Sequence, residues 1–150
     1  MAASITAIVH ISSSVIKLCN TYIKAVRDAP SDLQLIRIEV SALVDILNVL
    51  SSTIEKDSTV ASHFDEEQVT MKGCRRAISE IEQLFPSATE PPPATKNKPS
   101  KSQRAHIMMT ALAWPLKANK ASRLLNEVIH FKTTIIAMIM VESAYDTLCI

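Results

Sequence analysis

Residues 31–56 read SDLQLIRIEVSALVDILNVLSSTIEK, and this run decides the fold. Leu33, Ile36, Val40, Leu43, Leu47, Leu50 and Ile54 recur at alternating spacings of three and four, which lines seven aliphatic side chains along one face of an α-helix. Such a stripe has to be buried against other helices. Ahead of it, Asp28-Ala29-Pro30-Ser31-Asp32 reads as a break. Pro30 suits a first helical turn, where a missing N–H costs nothing, and Asp32 sets negative charge at the positive end of the helix dipole. A helix over about 31–56 follows.

Upstream, the first acidic residue is Asp28, and a helix is expected over about 3–28. Ile5, Ser12, Cys19 and Val26 share one line, Ile8, Val15 and Tyr22 a second, and Val9, Ile16 and Ile23 a third beside them. Opposite this broad apolar face, His10, Lys17 and Lys24 recur every seven residues, and Arg27 follows. An acid-free helix with one basic line suits either an anionic membrane surface or a place in a bundle. Its candidate membrane or oligomer surface comprises Ile5, Ile8, Val9, His10, Val15, Ile16, Lys17, Ile23, Lys24 and Arg27. Ser12 and Cys19 make its core line less aliphatic than that of the second helix.

Downstream, a third helix is expected over about 65–85. Asp65, Glu66 and Glu67 stand at its start, Met71, Cys74, Ile78, Ile81 and Phe85 form its stripe, and Pro86 ends it. Gly73 inside it costs about 1 kcal/mol relative to Ala, which close helix–helix approach would explain. Residues 86–103 hold Pro91-Pro92-Pro93, Lys96, Lys98, Pro99 and Lys101, the composition of a mobile, solvated loop. A short helix over 104–113 is expected to stop at Trp114-Pro115. A last helix over about 116–147 has Ala121, Leu124, Leu125, Val128, Phe131, Ile135, Met138, Ile139, Tyr145 and Leu148 as its core side. The fold class is all-α, an up-down bundle of four long helices plus that short one, in a single domain.

Composition agrees. Hydrophobic residues make up 47% of the 150, yet aromatics are 4% and Gly occurs once, a balance of helices rather than sheets. The net charge of +1 is uneven: residues 1–26 carry +2, 27–57 carry −3, 58–86 carry −2, 87–120 carry +5 and 121–150 carry −1. Basic residues are not interleaved with aromatics, so no nucleic-acid surface is indicated. Three widely spaced cysteines, Cys19, Cys74 and Cys149, read as reduced core thiols of a cytoplasmic protein. The run Ile135 to Val141 is far shorter than the roughly 20 residues of a membrane span. Apolar on all sides, it is a candidate interface through Ile135, Ile136, Ile139 and Met140.

Catalytic chemistry is not written in the chain. With one glycine, neither a phosphate-cradling loop nor a dinucleotide fingerprint is possible. The four histidines have no partners at metal spacing, there is no Cys-x-x-Cys, and no nucleophile motif surrounds a serine. No enzyme, cofactor or metal is expected.

Four stretches in order carry a resemblance: Leu18-Cys19-Asn20-Thr21-Tyr22-Ile23-Lys24-Ala25-Val26-Arg27-Asp28-Ala29-Pro30-Ser31-Asp32-Leu33 with Ile38-Glu39-Val40-Ser41-Ala42-Leu43; Gly73-Cys74-Arg75-Arg76-Ala77-Ile78 with Glu82 and Leu84-Phe85-Pro86; Leu112-Ala113-Trp114-Pro115-Leu116-Lys117; and Leu124-Leu125 with His130-Phe131-Lys132-Thr133-Thr134-Ile135. Together they resemble the HeLo-like N-terminal domain of fungal STAND, or NLR-like, proteins. The resemblance implies a helical bundle followed in the parent protein by a nucleotide-hydrolysing oligomerisation domain and repeats. It implies self-association, recruitment to the plasma membrane with anionic lipids as partners, and regulated cell death of the heterokaryon-incompatibility type. A non-lytic self-association or adaptor module is the other reading.

Overall fold

The computed structural model describes residues 2–25, 30–56, 68–85 and 101–148, with side chains throughout except at positions 25, 101–113 and 115. Four helices account for them: α1 (Ala2–Ala25), α2 (Ser31–Lys56), α3 (Gln68–Glu82) and α4 (Lys101–Leu148), and no strand is present among the described residues. The chain is an all-α helical bundle. Arg27 and Asp28, the acidic run Asp65 to Glu67, and residues 86–100 of the expected loop lie outside the described residues. Residues 101–103, expected in that loop, are helical.

The α2 stripe is buried as its spacing requires, from Leu33 to Leu50, and Ile54 packs at its edge. Pro30 stands one residue ahead of α2, where its carbonyl accepts the Leu33 N–H at 3.0 Å. Around the core, α1 packs against α2 and α3, and α4 closes the bundle against the same two. Antiparallel order along α3 and α4 is visible in the side chains. Arg76 faces Glu127, Glu80 faces Lys120 and Arg123, and the Lys117 ammonium donates to the Leu84 carbonyl at 2.7 Å. The α3 end tightens there, with Leu84 and Phe85 N–H groups bonded three residues back. Tyr22, Phe85 and Trp114 stack in a chain with centroids 5.3 and 6.0 Å apart.

One expectation is corrected. The helices expected over 104–113 and 116–147 are one 48-residue helix, about 72 Å long. A proline in a helix interior removes one hydrogen bond and costs about 3 kcal/mol. At this place the helix is held from both sides of the proline, by Trp114, buried against Phe85, and by Lys117 on the Leu84 carbonyl, so the helix passes through. A second correction concerns the outer end of α4. Tyr145 and Leu148, read as core side, are 63% and 82% exposed. Among the described residues, no side chain after Ile139 joins the core.

Gly73 has the packing reason its position called for. A Cβ built there would stand 2.7 Å from Cζ of Phe131, so the glycine is the seat of that ring. Gly73→Ala gains about 1 kcal/mol of helix propensity and loses about 1–3 to overpacking. Thermal unfolding should show a net loss of about 1 kcal/mol in the wild-type background. With Phe131→Leu, which removes the ring tip, the same substitution should become stabilising.

Candidate functional site

The basic line of α1 lies where its spacing places it: His10, Lys17 and Lys24 are all exposed. Of the apolar candidates, Ile5, Ile8 and Val15 are buried in the core, while Val9, Ile16 and Ile23 are partly buried beside it. Arg27 lies outside the described residues. In this packing α1 therefore presents cations and small polar groups outward, and only displacement from the bundle would present its aliphatic face.

The attachment of α1 has polar flaws. Ser12 is fully buried, and its hydroxyl has no hydrogen-bond partner among the described residues. An unmade bond at a buried hydroxyl costs about 1–3 kcal/mol. Polar contacts also hold α1 across the bundle, among them the Ser14 hydroxyl donating to Glu82 Oε1 at 2.7 Å and Arg37 Nη1 donating to Asn20 Oδ1 at 3.2 Å. Thr6, Ser13 and Thr21 bond instead to carbonyls one turn back in α1 itself, those of Ala2, Val9 and Lys17, at 2.9–3.0 Å. These three hydroxyls need nothing from the bundle. The Ser14 and Asn20 contacts were not foreseen from sequence, since small polar residues on a helix flank look the same whether they meet water or a neighbour.

The second candidate surface is the outer end of α4. Ile135 is fully buried and Ile139 partly so, which places both on the bundle side. Ile136 and Met140 face outward, and Val141, Tyr145 and Leu148 extend the exposed apolar surface. Thr133 and Thr147 lie along this outward side, and their hydroxyls bond to the Ile129 and Ser143 carbonyls, each at 2.9 Å, leaving methyl groups outward. By length and composition, Ala2–Lys24 and Leu116–Leu148 are both apolar enough to cross a membrane, although the longest uninterrupted apolar run is short. Averaged over a long helix, scattered Ser, Thr and Ala dilute the few charges without forming such a run. Core helices of soluble bundles share that composition.

Elsewhere the polar groups are structural. Arg76, Glu80, Lys120, Arg123 and Glu127 form an exposed ion lattice at 3.7–4.0 Å, in which each pair is worth little. Glu39 and Lys132 form a better shielded pair joining α2 to α4. No group of three His, Cys, Asp or Glu side chains suited to a metal occurs among the described residues.

Cys19 and Cys74 are buried free thiols, and burial pushes both up from the usual value of 9.0 to about 12, with Arg37 opposing it slightly at Cys19. Both remain protonated at physiological pH. Since the thiol rather than the thiolate is favoured by folding, their contribution to stability is full below pH 9 and is lost as pH rises towards 12. Neither is placed to act as a nucleophile. Comparison with family models, with characterised proteins and with solved structures gave no match. In a Cys149→Ser background, a disulfide-exchange reagent at pH 8 should leave the native protein unmodified within the time that labels both thiols in guanidinium; rapid native labelling of Cys19 would show that α1 opens readily.

Proposed function

We propose that this chain is the effector domain of a fungal NLR-like receptor. It self-associates when the receptor assembles, and it then attacks the membrane through α1, producing regulated cell death. The observation that carries the reading is the pairing, in one helix, of an acid-free cationic exterior with a buried, unpartnered Ser12. The resemblance of the four sequence stretches supplies the biological setting.

Magnitudes make assembly necessary. Detaching α1 exposes Ile5, Ile8, Val15, Cys19 and Tyr22, at about 2 kcal/mol for each large side chain, so on the order of 8–10 kcal/mol. Lys17 and Lys24 return about 1 kcal/mol each near an anionic leaflet. The remainder has to come from burying the aliphatic face at the acyl boundary, and a single copy stays docked. Several copies on one assembly add their contacts at high effective concentration. The intrahelical bonds of Thr6, Ser13 and Thr21 suit α1 to lipid, where a hydroxyl finds no water.

The second reading, a self-association module that never enters lipid, is favoured by the outer end of α4. That apolar surface is exposed without any opening of the bundle.

Leakage from anionic vesicles separates the two. Protein clustered through a fused trimeric coiled coil should release dye, and Lys17→Glu/Lys24→Glu should abolish release without lowering thermal stability. Ser12→Ala, which removes the unpartnered hydroxyl, should raise stability by up to about 1 kcal/mol and reduce leakage. If clustered wild type neither leaks nor co-sediments with vesicles, the membrane reading fails.

A further inference from the structure

We propose that two copies of this domain pair through the outward face of α2, the two helices antiparallel about a two-fold axis that passes between Ser41 and Ala42. The pairing rests on the self-association that both readings above invoke, and it gives that association a surface.

α2 carries a second stripe besides the one in the core. Leu35, Ile38, Ala42, Asp45 and Val49 again alternate three and four apart. Its three large aliphatic members, Leu35, Ile38 and Val49, are 46%, 54% and 54% exposed. Scattered singly such side chains would mean little; at this spacing they form the seam of a helix pair. On α4, Ile129 and Ile136 flank Lys132 at i−3 and i+4, so they continue the patch across the Glu39–Lys132 pair. Together the five leave on the order of 400 Å² of apolar surface, the size that marks an interaction site.

Symmetry selects the partner. Between residues 33 and 54 the helix bears three charges, Arg37, Glu39 and Asp45. Lys132 takes up Glu39, the bond to Asn20 Oδ1 steers Arg37, and Asp45 makes no ion pair among the described residues. Arg37 and Asp45 line one shallow groove of about 480 Å³, with Ile38, Ser41 and Ala42 between them. Arg37 stands four residues before Ser41 and Asp45 four after it; Leu35 stands seven before Ala42 and Val49 seven after it. An axis between Ser41 and Ala42 therefore brings each Arg37 to Asp45 of the second copy, and each Leu35 to its Val49. Both matches hold to within one residue along the helix, about 1.5 Å. The small side chains of Ser41 and Ala42 lie at the crossing point, where they let the helices approach and leave room for each Ile38. Any other helix would have to present one acid and one base in the reverse order at the same separation. This helix, turned end for end, does so by itself. An anionic membrane would instead meet Asp45 with like charge. With its polar rim the contact buries on the order of 1,000 Å² in all, the size of a reversible association. Because the same face serves both copies, it closes at two.

Sedimentation of the 150-residue chain without lipid provides the test. Wild type should pass from monomer to dimer as concentration rises, and stop there. Arg37→Glu and Asp45→Lys should each stay monomeric, because each sets like charges opposite one another. An equimolar mixture of the two should dimerise, since both cross pairs are then of opposite sign. Register is read separately by disulfide trapping in a Cys149→Ser background. Ser41→Cys should link to itself, whereas Leu35→Cys should link to Val49→Cys and not to itself. Trapping leaves Arg37 and its Asn20 bond intact, so it decides the matter if Arg37→Glu loses helicity. Wild type that stays monomeric at millimolar concentration overturns the proposal. So does a dimer that both charge variants keep, which would place the contact elsewhere, or a Leu35→Cys chain that links to itself, which would make the helices parallel. No lipid is present, so a monomeric wild type overturns this contact while leakage by clustered protein still decides the membrane reading.

Discussion

Tyr22, Phe85 and Trp114 form the contact on which the rest of the bundle depends. Half of the six aromatic residues of the chain meet there, from the end of α1, the turn after α3 and the interior of α4. Their rings are tilted by 38–43° and their centroids lie within the 4.5–7 Å range of favourable aromatic pairs. The cluster does three things at once. It fixes where α1 ends against α3, gives the tightened α3 terminus a surface to close on, and anchors α4 beside the proline. Lys117, bonded to the Leu84 carbonyl, fastens the same corner by a polar contact.

Much of this was legible from residue spacing, for a physical reason. Where a helix has one buried side and one wet side, as α2 does between Leu33 and Leu50, the 3.6-residue period records the core directly. The same holds for the stripe of α3 and for the glycine within it. Reading failed where two requirements competed. At Trp114-Pro115 the local preference of proline was outweighed by an aromatic contact with a residue 29 positions earlier, a partner no local pattern displays. Near Tyr145 the apolar pattern continued into a stretch whose side chains are exposed, and periodicity alone does not reveal which apolar side chains meet a neighbour. On α1 the basic line was readable, but the consequence of Ser12 was not, since an unpartnered hydroxyl exists only once its surroundings are known.

α1 and α4 present their apolar sides differently. α1 holds its apolar face inward and its cations outward, so its aliphatic side is reached only after a change of state. α4 shows aliphatic side chains on its outer end in the resting bundle, so it is available beforehand. The threonine hydroxyls of both helices that fold back on their own carbonyls are satisfied within their own helix.

The ring of Phe131 over Gly73 has one more consequence, for rotation about the long axis of α4. Beyond that ring the helix is aliphatic inside, at Ile135 and Ile139, and aliphatic outside, at Ile136 and Met140. Turning this stretch by one residue would exchange one pair for the other and carry inward Thr133, whose hydroxyl is already bonded to the Ile129 carbonyl, so burial alone sets only a weak preference there. The notch at Gly73 and the Glu39–Lys132 pair beside it set that angle. They act as a key in a shaft, and without them the outer end of α4 would have two nearly equal ways to face the bundle.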